Sequence, residues 1–315
     1  MLLSWQRIPT AEKVAIGLSV SVGVTLLVVK FIAYFITGSA AIFSDAVESV
    51  VNVLASGVAL WSLALAHTPP DEKHPYGHGK VEFISAAFEG GMILLAAVFI
   101  LVQTVIQIVN RQVGPEDVEI GLWLMILAML VNGGIGLALV RVGRRQGSLT
   151  LEADGLHLLT DAVTSIAVVA ALVVVKLTGW KWADPITAVG ISIYIAVAGL
   201  KMAARSFAGL MDEQDSGDEK QLVAILDSHV NLAGPTPRIC SYHKLRHRHS
   251  GRYHWVDFHI MVPSRLSVAE GHKIASAIEW EIEKTLGSGN ATAHVEPCAT
   301  PNCPTCDAEL SASTS

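Results

Sequence analysis

SDAVESVVNVLAS, residues Ser44 to Ser56, and ADGLHLLTDAVTS, residues Ala153 to Ser165, decide how this chain is read. The two stretches align without a gap at a constant offset, pairing Asp45 with Asp154, Glu48 with His157, Asn52 with Asp161 and Ser56 with Ser165. Within each, two polar groups stand four residues apart, so Glu48 with Asn52, and His157 with Asp161, each share one face of a helix. Each stretch also lies in an apolar run long enough to cross a bilayer, which takes about 20 residues. Ionisable groups inside a span cost several kcal/mol and therefore tend to mark an ion or substrate path. Brought together, the two elements offer a carboxylate, an amide oxygen, an imidazole and a second carboxylate, a mixed N and O donor set suited to a divalent transition ion such as zinc. Hydrogen-bonded glue between helices is the plainer alternative, but polar pairs recurring in two repeated elements favour a site. Asp45 and Asp154 lie one turn earlier, where capping or access to the site is as open a reading as ligation.

Working outward, the spans expected are Val14 to Ile36, Ala40 to Ala66, Glu82 to Val109, Ile120 to Val140, Leu156 to Leu177 and Ile186 to Leu200. The repeat thus falls in the second and fifth of six. Composition agrees: charged residues are 16% of the chain, against about 25% in soluble globular proteins, and mean hydropathy is +0.48. Six spans put both termini on one side. Lys and Arg concentrate in the segments on that side (Arg7, Lys13, Lys73, Lys80, Arg141, Arg144, Arg145, Lys201 and Arg205), while the opposite segments hold Arg111, Lys176 and Lys181. The bias predicts cytoplasmic termini in a bacterial inner membrane. MLLSWQRIPTAEKVAIGLSV lacks the pattern of a signal peptide, so the first apolar run is expected to remain in the mature protein. The net charge of −6 and an acidic balance after Leu210 argue against nucleic acid as a partner.

After residue 210 the pattern becomes that of a soluble domain. EKQLVAILDSHV reads as a helix, RICSYHKLRHRH and RYHWVDFHIMV as strands joined at Ser250 and Gly251, SVAEGHKIASAIEWEIEKTL as a helix and NATAHVEP as a last strand. The fold expected is therefore a helical membrane bundle, residues 1–210, followed by an α+β domain of order αββαβ, residues 211–297, and a tail, residues 298–315. Val256, Phe258, Ile260 and Val262 alternate with polar residues, as on a sheet with one face against helices.

Two further clusters could hold metal. TPPDEKHPYGHGK, between the second and third spans, packs Asp71, His74 and His78 into a loop broken by Pro70, Pro75 and Gly77; coordination and a plain solvated loop are both open. Cys298, Cys303 and Cys306 are either part of a disordered tail or, in a reducing compartment, ligands of a zinc site completed by His294 or Glu296.

HPYGHGK after the second span, HLLTD in the fifth, six spans and the αββαβ tail together resemble the cation diffusion facilitator family, from about Val14 to Pro297. The resemblance implies a homodimeric antiporter of divalent metal and protons, with a transport site between the second and fifth spans and a cytoplasmic ferredoxin-like domain that binds metal and joins the protomers. Carried over by residue, it assigns Glu48, Asn52, His157 and Asp161 to transport and Asp71, His74 and His78 to the loop site. It assigns His243, His259, His272, His294 and Glu296 to the cytoplasmic domain; His247, His249 and His254 read as exposed polar residues. It also pairs Lys80 with Asp212 as an interlock at the dimer contact, for which a weak surface pair is the alternative. Zinc members commonly carry His or Asp followed four residues later by Asp in the second span, so Glu48 and Asn52 depart from the pattern.

The function expected is export of a divalent cation, zinc first, with Fe, Mn, Co, Ni or Cd as the other candidates, in exchange for protons. The metal is substrate and cytoplasmic-domain ligand, and no prosthetic group is expected. A membrane-anchored metal sensor would bind without flux. An intramembrane metalloenzyme would need an activated water on a buried metal, yet the chain has neither a His-Glu-x-x-His nor a Gly-x-Ser-x-Gly motif.

Overall fold

The computed structural model describes residues 8–37, 40–109, 119–180, 182–230, 233–300 and 303–306; the side chains of Asp45 and Glu48 lie outside the described set. The chain divides into two compact units, Met1–Leu210 and Met211–Ser315.

The first unit consists of α1 (Thr10–Thr37), α2 (Ala40–Ala66), α3 (Val81–Val109), α4 (Glu119–Gln146), α5 (Leu149–Thr178) and α6 (Ala183–Leu210). Each runs 27 to 30 residues, or roughly 40–45 Å at 1.5 Å per residue, longer than a hydrocarbon core needs. Among the described residues, Thr10–Ile32, Val81–Ile106 and Pro185–Leu210 are apolar and long enough to cross a membrane, and Asn52–Ala66 forms a shorter apolar stretch. Large side chains such as Leu95, Phe99, Ile193 and Leu200 point outward, as a lipid-facing surface requires.

Lipid gives helices little hydrophobic reason to associate, so small residues that allow backbones to approach do much of the packing. That is the case in the two most extensive helix pairs, α3 with α6 and α4 with α5. A Cβ on Gly199 would sit 2.9 Å from the carbonyl oxygen of Gly90, and one on Gly155 would sit 2.9 Å from that of Gly136. Both contacts are closer than a side chain tolerates, so these crossings depend on glycine.

The second unit is α7 (Ser216–Val230), β1 (Ser241–Ser250), β2 (Tyr253–Val262), α8 (Val268–Leu286) and β3 (Gly289–Pro297), the αββαβ order expected from the sequence. Its sheet is ordered β1-β2-β3, with β1 antiparallel and β3 parallel to the central β2. Val256, Phe258, Ile260 and Val262 form the buried face, packing with Leu222 and Leu226 of α7 and Ala275, Ile278 and Ile282 of α8. Ser267 and Glu270 close the start of α8 as a capping box, the Glu270 N–H donating to Ser267 Oγ and the Ser267 N–H to Glu270 Oε2. The polar face of β2 is thereby left to carry histidines.

Candidate metal centres

Asn52 lies between the two members of the polar pair on α5. Its Nδ2 donates to Asp161 Oδ2 at 2.7 Å, and its Oδ1 accepts from His157 Nε2 at 3.0 Å. One turn along, Ser56 Oγ donates to Asp154 Oδ1 at 2.8 Å. Advancing along α2 therefore retreats along α5, so the two helices run antiparallel, and the repeated stretches meet face to face. Three of the four expected transport residues, Asn52, His157 and Asp161, form one hydrogen-bonded chain; Glu48, four residues before Asn52 on α2, lies outside the described side chains.

Beside this chain is a cavity of about 20 Å³ lined by Ser19, Lys30, Ser49, Asn52, Ser56 and Asn132 together with apolar groups, room for about one water or a bare ion. Asp154 is fully buried and accepts from both Ser19 and Ser56, each at 2.8 Å. This favours a fixed structural anchor for Asp154 over a cap at the membrane edge. Lys30 Nζ donates to Ser49 Oγ at 2.8 Å. Sequence reasoning passed over Glu89, on α3, which is fully buried; among the described residues neither of its carboxylate oxygens has a hydrogen-bond partner. The available signal was a lone carboxylate in an apolar run, a costly placement that marks an ion path.

In the loop between α2 and α3, His74 Nδ1 is 3.0 Å and His78 Nε2 3.5 Å from the Asp71 carboxylate, and the two rings approach to 3.1 Å. The donor atoms of all three lie within 4.8 Å of one another. Asp71 is held below the usual carboxylate range chiefly by the backbone N–H of His74, which keeps a charged ligand ready at neutral pH.

On the second unit, His243 of β1 is paired in register with His259 of β2, and His259 with His294 of β3. Cross-strand neighbours project to one face, so the three imidazoles form a row on the side of the sheet away from the helices. Glu296, two residues on along β3, accepts from His259 Nδ1 at 2.7 Å and lies 3.3 Å from His243 and 3.8 Å from His294. The hydrogen bond from His259 lowers the pKa of Glu296. His243, His259 and Glu296 bring their donors within 4.8 Å, while His294 borders the group. His272 stands apart from it on α8, in a groove of about 360 Å³ lined also by Leu266, Val295 and Glu296.

The reading of His247, His249 and His254 as exposed polar residues is corrected by the structure. His247 is 5% exposed. His249 and His254 are cross-strand partners whose nitrogens lie 2.8 and 3.4 Å from Asp218 Oδ2, forming a further donor cluster. The missed signal was Asp218 on α7, too remote in sequence to be linked to the hairpin. Asp212 accepts from Arg248 at 3.1 Å, within its own unit.

The cysteines converge as well. Cys240, which sequence reasoning left out, joins Cys298, Cys303 and Cys306, and all four sulfurs lie within 4.8 Å of one another. Among the described residues His294 and Glu296 are not part of this group. Burial raises the Cys306 thiol to about 11 and pushes Cys240 up further. At Cys303 burial also opposes ionisation, but the N–H groups of Cys306 and Thr305 and the Cys240 thiol outweigh it and bring the value down to about 7.

Residues 16–211 match the family model for the cation efflux transmembrane domain, and residues 226–298 that for the cation efflux protein cytoplasmic domain. An uncharacterized transporter of Synechocystis sp. is 36% identical over 287 residues, covering 90% of each chain. A cation-efflux pump, FieF, of Shewanella oneidensis is 28% identical over 285 residues, covering 90% of this chain and 94% of the pump. A solved chain of CzrB in its Zn form overlaps 28% of this chain and 94% of its own length at 22% identity, with a TM-score of 0.25.

Proposed function

The chain belongs to the cation diffusion facilitator family of membrane cation efflux transporters, and from that premise we propose that it exports a divalent transition metal from the cytoplasm in exchange for protons, as a homodimer in a bacterial inner membrane. The observation carrying this reading is the Asn52–His157–Asp161 chain between antiparallel α2 and α5. In it, both nitrogen and oxygen donors are held by a neutral amide that a metal can displace.

In this reading Glu48 is the fourth donor. With Glu48 and Asp161 ionised and His157 neutral, the empty site carries −2, which a divalent ion neutralises. Asn52 acts as a placeholder: its amide occupies one Asp161 oxygen and the His157 Nε2–H, and a cation entering the site releases both. A neutral His157 and ionised Glu48 and Asp161 bind metal whereas their protonated forms do not, so protons arriving from the other face compete for these ligands and expel the metal. Glu89, buried on α3 with no hydrogen-bond partner among the described residues, adds a further carboxyl group to the membrane unit beyond these residues. The Asp71–His74–His78 loop and the histidine row with Glu296 collect the ion on the cytoplasmic side, and the 211–297 domain joins the protomers. A cation-efflux pump among the relatives supports export of a cation, and the mixed nitrogen and oxygen donors favour a transition metal, with zinc first and Fe, Mn, Co, Ni and Cd to be compared.

The test is uptake of Zn(II), Fe(II), Mn(II), Co(II), Ni(II) and Cd(II) into proteoliposomes containing a pH-sensitive dye. Metal flux in one direction with an opposite pH change is expected, and His157→Ala and Asp161→Ala should each lower it at least tenfold while the protein stays folded and dimeric. Near-normal flux in both variants would overturn the site, and metal binding without flux would favour a sensor.

A further inference from the structure

We propose that Cys240, Cys298, Cys303 and Cys306 form a closed tetrathiolate site for a structural zinc ion that ties the C-terminal segment to the sheet of the second unit. The sulfurs all lie within 4.8 Å of one another. Four ligands around zinc at about 2.3 Å imply sulfur–sulfur edges of ~3.8 Å, and the Cys240–Cys306 edge is 3.5 Å. None of the four is in a disulfide, which would require a separation near 2.05 Å. Two disulfides would divide the group into pairs, whereas the structure holds all four sulfurs around one centre.

The backbone explains the convergence. Cys240 stands just before β1 and Cys298 just after β3, and both are fastened to the end of the central strand. The Cys240 N–H donates to the Met261 carbonyl and the Cys298 N–H to the Val262 carbonyl, each at 2.7 Å. Cys303 and Cys306 occupy a Cys-Pro-Thr-Cys turn, fixed by Arg265 Nη1 donating to the Cys306 carbonyl at 3.0 Å and Thr305 Oγ1 to the Ile239 carbonyl at 3.5 Å. Cys298 and Cys303 are buried while Cys240 and Cys306 are half-buried, so an ion can enter from one side. Soft thiolates in tetrahedral array select zinc over harder divalent ions. Four protein donors leave no open position, which suits a fixed ion and excludes a step in transport.

Co(II) provides a direct probe in the purified full chain in detergent, after chelation and reduction. Intense tetrahedral d–d bands with a sulfur-to-metal charge-transfer band are expected. They should disappear in Cys303→Ser/Cys306→Ser and persist in His259→Ala/Glu296→Ala. Independently, Zn(II) should protect about four thiols per wild-type chain from a thiol reagent, and a chelator should restore their reactivity, a readout that holds even if the serine variant fails to fold. Thiols equally reactive with and without Zn(II), Co(II) spectra lacking the sulfur band, or two disulfides found by mass spectrometry in protein purified under nitrogen would each overturn the proposal.

Discussion

In the proposed transport site, Asn52 makes the chemistry depend on one atom type. As an amide it offers Asp161 a donor and His157 an acceptor at once, a combination no carboxylate can provide. In Asn52→Asp, two carboxylates would face each other at the present 2.7 Å, and charges that close cannot both persist without a proton or a cation between them. The variant is therefore expected to hold an extra proton that metal must displace. Its affinity should rise more steeply with pH than that of the unmodified protein, exceed it at high pH, and favour ions that prefer charged oxygen. Metal affinity measured against pH in one detergent, with the loop, histidine and cysteine clusters replaced in both proteins, checks this. Superimposable curves would mean that position 52 does not touch the ion.

Among the elements, the β1–β2 hairpin carries a built-in response to acid. His247 and His254 are both held below the ordinary imidazole value, chiefly by burial and at both also by the neighbouring His249, against an opposing pull from Asp218. The folded state thus prefers these rings neutral. That preference costs nothing above about 6.5, the unfolded value, and becomes a penalty as the pH falls from there towards the lowered folded values. Thermal unfolding of the metal-free protein should accordingly lose several degrees between neutral and mildly acidic pH, and His254→Gln should flatten the loss. An unchanged slope would mean that the ring is hydrated in solution. The same hairpin shows what the sequence could reveal. Alternation from Trp255 to Val262 predicted which face meets the helices, and spacing predicted that Glu48, Asn52, His157 and Asp161 belong to matching helical faces. Partners distant along the chain were not legible: Asp218 beside His249 and His254, Cys240 beside the three later cysteines, and the serines around Asp154. Each depends on how elements close on one another, which local periodicity does not encode. A single β-bulge between His243 and Arg246, with Lys244 at φ 52°, shifts the register within β1 and so separates the two histidine clusters in a way that counting by twos would miss.

At the scale of the whole molecule, the proposed topology of six crossings would return the chain to the side on which it began, with the α2–α3 loop and the segment after Leu210 in one compartment and the α5–α6 connection in the other. The Lys and Arg that gather beside the termini support the proposal that this first side is the cytoplasm. This matters for direction. In that topology the loop cluster at Asp71, His74 and His78 and the donor groups of the second unit would sample one metal pool, and the proposed export requires that pool to be cytoplasmic. Surface labelling decides it. Glu72 is exposed in the α2–α3 loop and Trp180 in the α5–α6 connection, while the four native cysteines all follow Leu210. In intact cells a membrane-impermeant maleimide should label Trp180→Cys well above the unmodified protein and leave Glu72→Cys at background. After permeabilisation Glu72→Cys should gain one label over the unmodified protein. The opposite pattern would place the loop and the second unit outside, and the same ligand chemistry would then describe uptake from the exterior.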